Sequence, residues 1–158
     1  MEFDKLIQTG ENFAQITFTY NGTPEAGMLA WIDSNEMKTW WRADNVIIEP
    51  YPSGMFYITW GEKDESMVHA IYGVVDVIDT EKHRIEISKI YYMAPAGKLG
   101  PIHLLIDFEN AGSGQTKLFL KHTHSHKGQS LKLYNAFVYA SWPVTVSLFK
   151  KYVEKGNL

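Results

Sequence analysis

Three histidines, His122, His124 and His126, stand at every second position in LFLKHTHSHKG, residues 118–128, just where an apolar strand runs out. On an extended chain that period sends all three imidazoles to one side. Neutral imidazole nitrogens suit zinc, copper, iron or nickel. A single imidazole can also serve as a general base, or fix a ligand at the rim of an apolar pocket. A polar loop that is rich in histidine is the plain alternative. The metal reading requires three or four ligands in a set geometry, and no carboxylate stands beside the histidines to complete one, so no metal is expected.

Phase separates the three. Thr116, Leu118, Leu120 and His122 share one face of the strand, and Lys117, Phe119 and Lys121 share the other. The leucine face must be the covered one, so His122 is expected to look inward near the mouth of whatever covers it. His124 and His126 fall in the polar loop beyond. Of the remaining histidines, His103 has the opposite phase from Ile102, Leu104, Ile106 and Phe108 and reads as solvent-facing. His83 lies in a turn, and His69 has apolar neighbours on both sides. The carboxylates form no spaced catalytic pair: Glu62, Asp64 and Glu65 crowd one turn, Asp79 and Glu81 another. His122 is the sole candidate base, no catalytic residue is assigned, and no cofactor is expected.

The elements that must position these groups can be read from punctuation and period. Phe13 to Tyr20 alternates as a strand, and Asn21-Gly22 turns the chain. Thr23 can cap a helix with Pro24 at its first position, and Met28, Trp31 and Ile32 then share a face. Gly27 lowers the propensity of that helix by roughly 1 kcal/mol relative to Ala. Asp33 or Ser34 can cap a second short helix through Trp41. Six strands follow from Asn45 to Thr123, separated by short polar or Gly/Pro stretches that favour antiparallel neighbours; "APAGKLGP" is read as one such break. The last element, Ser130 to Lys155, repeats Tyr134, Phe137, Val138, Thr145, Leu148, Phe149 and Tyr152 at helical spacing, with a kink expected at Pro143.

The fold class that follows is α+β: a seven-stranded curved antiparallel sheet wrapped on a long C-terminal helix, with two short helices between strands one and two. A sheet of that size must cover its apolar face, and only the terminal helix is long enough. The arrangement leaves room for a cavity. Residues 1–158 are expected to form one domain.

Composition removes several function classes. The chain has no cysteine, which excludes disulfides, thiolate metal sites and cysteine nucleophiles. Net charge is −3, only Arg42 and Arg84 are arginines, and the lysines are scattered, so no nucleic-acid partner is expected. No run of 18 apolar residues is present and the N-terminal stretch does not resemble a secretory signal, so the expectation is a cytoplasmic protein without a membrane span. Gly-rich phosphate loops and the GxSxG elbow are absent.

Six short stretches, in order along the chain, resemble one family. TPEAGMLAWID carries Pro24, Glu25, Ala30, Trp31 and Asp33, and KTWW supplies Trp40 and Trp41. IEPYPSGMF carries Glu49, Pro50 and Gly54, and GVVDVID starts at Gly73. GQTKLFLKHTHSHKG carries Gly114, Thr116, Leu118, Leu120 and His122, and the last helix carries Trp142 and Leu148. The chain resembles the START-like superfamily (SRPBCC, the birch-pollen-allergen-like helix-grip fold), in the branch named after the activator of heat-shock protein 90 ATPase. It departs from the pattern at Met28, Ser53 and Ser141-Trp142-Pro143.

The resemblance implies the helix-grip fold, but no single chemistry, since the superfamily includes lipid binders, cyclases and stress-linked proteins. The leading expectation is non-catalytic binding of a small hydrophobic or lipid-like molecule between sheet and helix. Its candidate contacts are Met28, Trp31, Trp41, Tyr57, Leu120, His122, Tyr134 and Phe137. A chaperone- or stress-related interaction module is the second reading, with a chaperone as partner, and a cyclase- or hydrolase-like enzyme using His122 is the third. The separate chaperone-docking domain of the heat-shock activators is expected to be absent. Monomer and homodimer both remain open.

Overall fold

A computed structural model describes residues 6–61, 69–94 and 97–155. Two strands open the chain, β1 (Ile7–Thr9) and β2 (Phe13–Asn21), followed by α1 (Pro24–Ile32) and α2 (Ser34–Trp40). Six strands follow: β3 (Asn45–Ile48), β4 (Met55–Trp60), β5 (His69–Asp79), β6 (Arg84–Ala94), β7 (Gly97–Gly112) and β8 (Gln115–Thr123). A 26-residue helix, α3 (Gly128–Val153), closes the fold.

The helix-forming signals act as their chemistry requires. Thr23 Oγ1 accepts the Ala26 N–H at 3.0 Å with Pro24 in the first turn, and Asp33 caps α2 by accepting the Glu36 N–H at 3.0 Å. Gly27 sits under the ring of Tyr20, whose hydroxyl donates to the Thr23 carbonyl at 2.7 Å. A Cβ on residue 27 would stand 2.0 Å from that hydroxyl oxygen, so the glycine serves close packing at the expense of helix propensity.

All strands form one antiparallel sheet of eight, in the order β1-β2-β8-β7-β6-β5-β4-β3. The expected sheet had seven; β1 is the addition, a three-residue edge strand paired only to β2. The β6–β7 connection is also shorter than expected, because Gly97–Pro101 already pairs as strand. The inner face is built in cross-strand layers. Phe18, Leu118 and Phe108 make one; Ile16, Leu120, Ile106 and Ile85 the next; Ala14, His122, Leu104 and Ile87 a third. Register shifts interrupt β5–β6 between Tyr72/Val74 and Val75/Val77, and β6–β7 between Ile87/Ile90 and Ile90/Tyr92. Lys89, at φ 53°, lies in one of these bulges. Bulges bend the strands that carry them, and here they sit on the strands that curve around α3.

At about 1.5 Å per residue α3 spans roughly 39 Å, enough to cross the sheet. It buries Tyr134, Val138, Trp142, Thr145, Val146 and Phe149, which recur every three or four residues. Helical structure continues through Pro143, with Ser141 Oγ donating to the Phe137 carbonyl at 2.7 Å and Thr145 Oγ1 to the Ser141 carbonyl at 3.0 Å. The C-terminal end is tied to the short helices by Tyr152, whose hydroxyl donates to Glu36 Oε1 at 3.0 Å. Leu148, one of the positions repeating at helical spacing, is only partly buried, whereas Val146 and Phe149 lie in the core. No helix among the described residues is long and apolar enough to cross a membrane.

Candidate functional site

Between α3 and the β4–β8 half of the sheet the packing leaves a space of about 270 Å³. The floor is Phe56 and Trp60 of β4, His69 and Ile71 of β5, Ile90 and Tyr92 of β6, Ile102 and Leu104 of β7, and His122 of β8. Trp31 of α1 and Trp41, just after α2, form the roof; Phe137, Ser141, Trp142 and Thr145 of α3 form the remaining wall. Seven of these side chains are Trp, Phe or Tyr, and none is Asp, Glu, Lys or Arg. The aromatic roof is rigid because it is self-packed. Trp40 and Trp41 stack at 5.1 Å, Trp31 contacts both, and Trp60 meets Trp41 edge-on at 5.1 Å. Trp40 Nε1 donates to the Ala30 carbonyl at 2.7 Å and Trp60 Nε1 to the Trp41 carbonyl at 3.0 Å. The indole N–H of Trp31, by contrast, is buried and has no partner among the described residues.

Beside the hydroxyls of Ser141 and Thr145, a histidine enters the wall at each of two points. His69 Nδ1 meets the Tyr92 hydroxyl at 2.5 Å, and the Tyr92 ring packs on Phe137 with centroids 4.2 Å apart. On the other side His122 Nδ1 lies 2.8 Å from the Tyr134 hydroxyl, and its ring meets Trp142 edge-on at 5.6 Å. His122 is 8% exposed and its layer neighbour on β2 is Ala14, small enough to leave room for an imidazole in an apolar row. Burial, and then the neighbouring His124, push the His122 pKa down to about 3, so it is neutral at physiological pH. Burial pushes the Tyr134 hydroxyl up.

The other two histidines of the triplet clamp the same tyrosine. The Tyr134 ring lies 4.1 Å from His124 and 5.4 Å from His126, the latter stacked at 23°. The chain reaches this position because the His124 N–H donates to the Asn12 carbonyl at 2.9 Å, keeping residues past β8 against the β1–β2 turn. His126 N–H donates to His124 Nδ1 at 3.1 Å, and Gly100 N–H donates to His126 Nε2 at 3.1 Å. His126 Nδ1 meets the Ser130 hydroxyl at 2.5 Å. Burial lowers the pKa of both. Most imidazole nitrogens are thus committed to protein partners, and among the described residues no group of three His, Cys, Asp or Glu is placed to hold a metal. His124 and His126 were read as a polar loop. His124 is instead 5% exposed, because an aromatic ring from a distant helix turn covers it.

Four of the eight candidate contacts line the cavity: Trp31, Trp41, His122 and Phe137. Met28 is buried in α1 without reaching the wall, Leu120 lies in the dry layer between Ile16 and Ile106, and Tyr134 stands behind His122. Tyr57 is on the other side of the sheet. Phe56 and Ile58 take the inner phase of β4, so Tyr57 joins an outward row with Ile47, Tyr72 and Tyr91 across four strands. Tyr72 and Tyr91 stack at 5.5 Å, and the Lys98 ammonium lies 4.1 Å over the Tyr91 ring. Eleven lining residues were not among the candidates, and Trp60, His69, Tyr92 and Ser141 are the polar-bearing ones outside the expected core positions. The inward phase Phe56, Ile58, Trp60 was available to place Trp60; nothing local signals the others.

The profile of the family described as "Activator of Hsp90 ATPase homolog 1-like protein" matches residues 21–154. The chain belongs to this family. That places it in the START-like superfamily and accounts for the helix-grip architecture. Among solved structures of similar fold, one from Nitrosomonas europaea is 15% identical, covers 95% of this chain and 99% of its own, and has a TM-score of 0.74. A Mycobacterium smegmatis protein is 10% identical with a TM-score of 0.74, the match covering 91% of this chain and 93% of that one. An HSP90 activator from Plasmodium falciparum is 16% identical with a TM-score of 0.61, covering 87% and 94%. At such identities the likeness is one of fold. No curated protein matches the sequence.

Proposed function

We propose that the protein binds a small, mostly apolar molecule in the space between α3 and the sheet, without catalysing its conversion. The observation that carries this reading is the wall itself: a preformed, aromatic-lined space of about 270 Å³ with a few polar groups, near the lower end of the roughly 300–1,000 Å³ usual for ligand pockets. The electrostatics favour binding over catalysis. A general base works best with a pKa near the operating pH, and His122, held down to about 3, is a weak proton acceptor at pH 7. Native mass spectrometry of the untagged protein, with competition titrations of an apolar dye, tests the proposal. A retained small molecule, or saturable dye binding abolished by filling the space through Leu104→Trp, supports it. Absence of both sinks it.

A second reading, a chaperone-linked interaction module, is supported by the likeness to the Plasmodium falciparum HSP90 activator. The outward row of Ile47, Tyr57, Tyr72 and Tyr91 offers apolar surface away from the cavity. Saturable stimulation of a heat-shock protein 90 ATPase by this chain, lost in Tyr72→Asp, would favour that reading.

A further inference from the structure

The polar atoms facing the cavity have a definite sense, and it follows from hydrogen-bond accounting. Tyr134 is fully buried, and its hydroxyl has one partner among the described residues, Nδ1 of His122. If that nitrogen carried the imidazole proton, the phenol proton would have no acceptor in a site that water does not reach, at a cost of about 1–3 kcal/mol. The phenol therefore donates, Nδ1 accepts, and the proton of the neutral imidazole sits on Nε2. That Nε2–H has no protein partner among the described residues, and the His122 side chain lines the cavity. It is a fixed donor in the cavity wall.

The opposite wall is arranged differently. Ser141 and Thr145 have given their hydroxyl protons to the carbonyls of Phe137 and Ser141, so they add no donor. On the sheet side His69 Nδ1 and the Tyr92 hydroxyl bond to one another, but Tyr92 is only partly buried, so burial does not fix that pair in one sense as it does His122 and Tyr134. Among the described residues no Asp, Glu, Lys or Arg lines the space to balance an ionic guest. Its volume of about 270 Å³ is that of about nine waters at roughly 30 Å³ each, room for one or two rings.

We propose that the cavity selects an uncharged, ring-sized molecule carrying a hydrogen-bond acceptor such as a carbonyl, held from the sheet wall by the Nε2–H of His122. This rests on the binding function proposed above and adds the polarity and charge of the guest.

Three probes of matched size separate the possibilities: 2-acetylnaphthalene, 2-ethylnaphthalene and 2-naphthoate, titrated into the full chain and followed by protein NMR. In a cavity without a donor, the desolvated carbonyl would put the ketone roughly tenfold or more behind the hydrocarbon. With the donor in place the ketone binds at least as tightly as the hydrocarbon, and at least about tenfold tighter than the carboxylate. Replacing both partners, His122→Leu with Tyr134→Phe, removes the donor without orphaning the phenol. The ketone-to-hydrocarbon affinity ratio should then fall about tenfold. A hydrocarbon preference in the unaltered protein, or a ratio that the double replacement does not move, overturns the inference and leaves the binding function standing. Failure of all three probes to bind overturns both. Long-range proton–nitrogen spectra of the imidazoles decide the same point without any variant, since a proton found on Nδ1 of His122 refutes the argument.

Discussion

Phe137 and Phe149 are three turns apart on α3, and truncating each to alanine should have unequal consequences. Phe149 is 1% exposed and packed by Phe18, Tyr20, Trp31 and Trp40 at centroid distances of 5.2 to 6.3 Å. Removing its ring leaves a new void among neighbours that are themselves locked, so the upper part of the Phe→Ala range, about 4 kcal/mol, is expected. Phe137 is half-buried, borders existing space and has one close ring contact, Tyr92 at 4.2 Å. Its truncation loses part of the transfer term and enlarges a space already present, for about 2 kcal/mol. At roughly 2–4 °C per kcal/mol for a chain of this length, the melting temperature should drop by about 8–16 °C for Phe149→Ala and about 4–8 °C for Phe137→Ala. Calorimetry or circular-dichroism melts measure the difference, and probe titrations should show altered binding only for Phe137→Ala. If Phe137→Ala is the more damaging, or binding is the same in both, the space beside Phe137 is not a cavity and the reasoning fails.

Acid should weaken the fold through the histidine clamp. His122, His124 and His126 all have pKa values below their ordinary value in the folded state, so the unfolded chain binds more protons. The stability they contribute is full above pH 6.5, about the unfolded value, and for His122 is lost as pH falls toward about 3. Each contributes at most about 1.4 kcal/mol per pH unit in that window, and urea midpoints from pH 7 to 5 should fall less steeply in the His122→Leu, Tyr134→Phe variant. Gly27→Ala should destabilise by about 1–3 kcal/mol despite a helix-propensity gain of roughly 1 kcal/mol, since the new methyl displaces the Tyr20 hydroxyl from Thr23. The same substitution made on Tyr20→Phe should cost much less in a thermal melt, and an equal cost would contradict the packing argument.

Local chemistry was the legible part. The Thr23 and Asp33 caps, the inward phase of Ile16, Phe18 and Tyr20, and the inward aim of His122 follow from period and side-chain type alone. What escaped depended on partners distant in sequence. β1 is three residues long and exists because β2 offers an edge, a context its own composition does not announce. Gly97–Pro101 looks like a breaker run, yet β6 supplies the pairing that holds it extended. Tyr57 was assigned by residue type where strand phase was decisive: its neighbours Phe56 and Ile58 already occupied the inner face. His124 and His126 carry polar side chains that a loop would tolerate, and only Tyr134, on another element, buries the first and packs against the second.

The chain has five tryptophans, and every one belongs to a single connected cluster: Trp40 on Trp41, Trp41 on Trp60, and Trp31 on Trp40, Trp41 and Trp142. Four of them line the cavity, and the fifth stacks on Trp41 within 7° of parallel. The near-ultraviolet optics of the indoles therefore report on one place. Excitation absorbed by any indole can migrate among neighbours about 5 to 6.5 Å away, and the stacked pair should give coupled circular-dichroism bands instead of independent ones. A guest entering the cavity perturbs the emission of the whole set, while a change confined to the outward tyrosine row leaves it unaltered. The protein thus carries its own unlabelled optical sensor, one that separates occupancy of the interior from contact at the outer face.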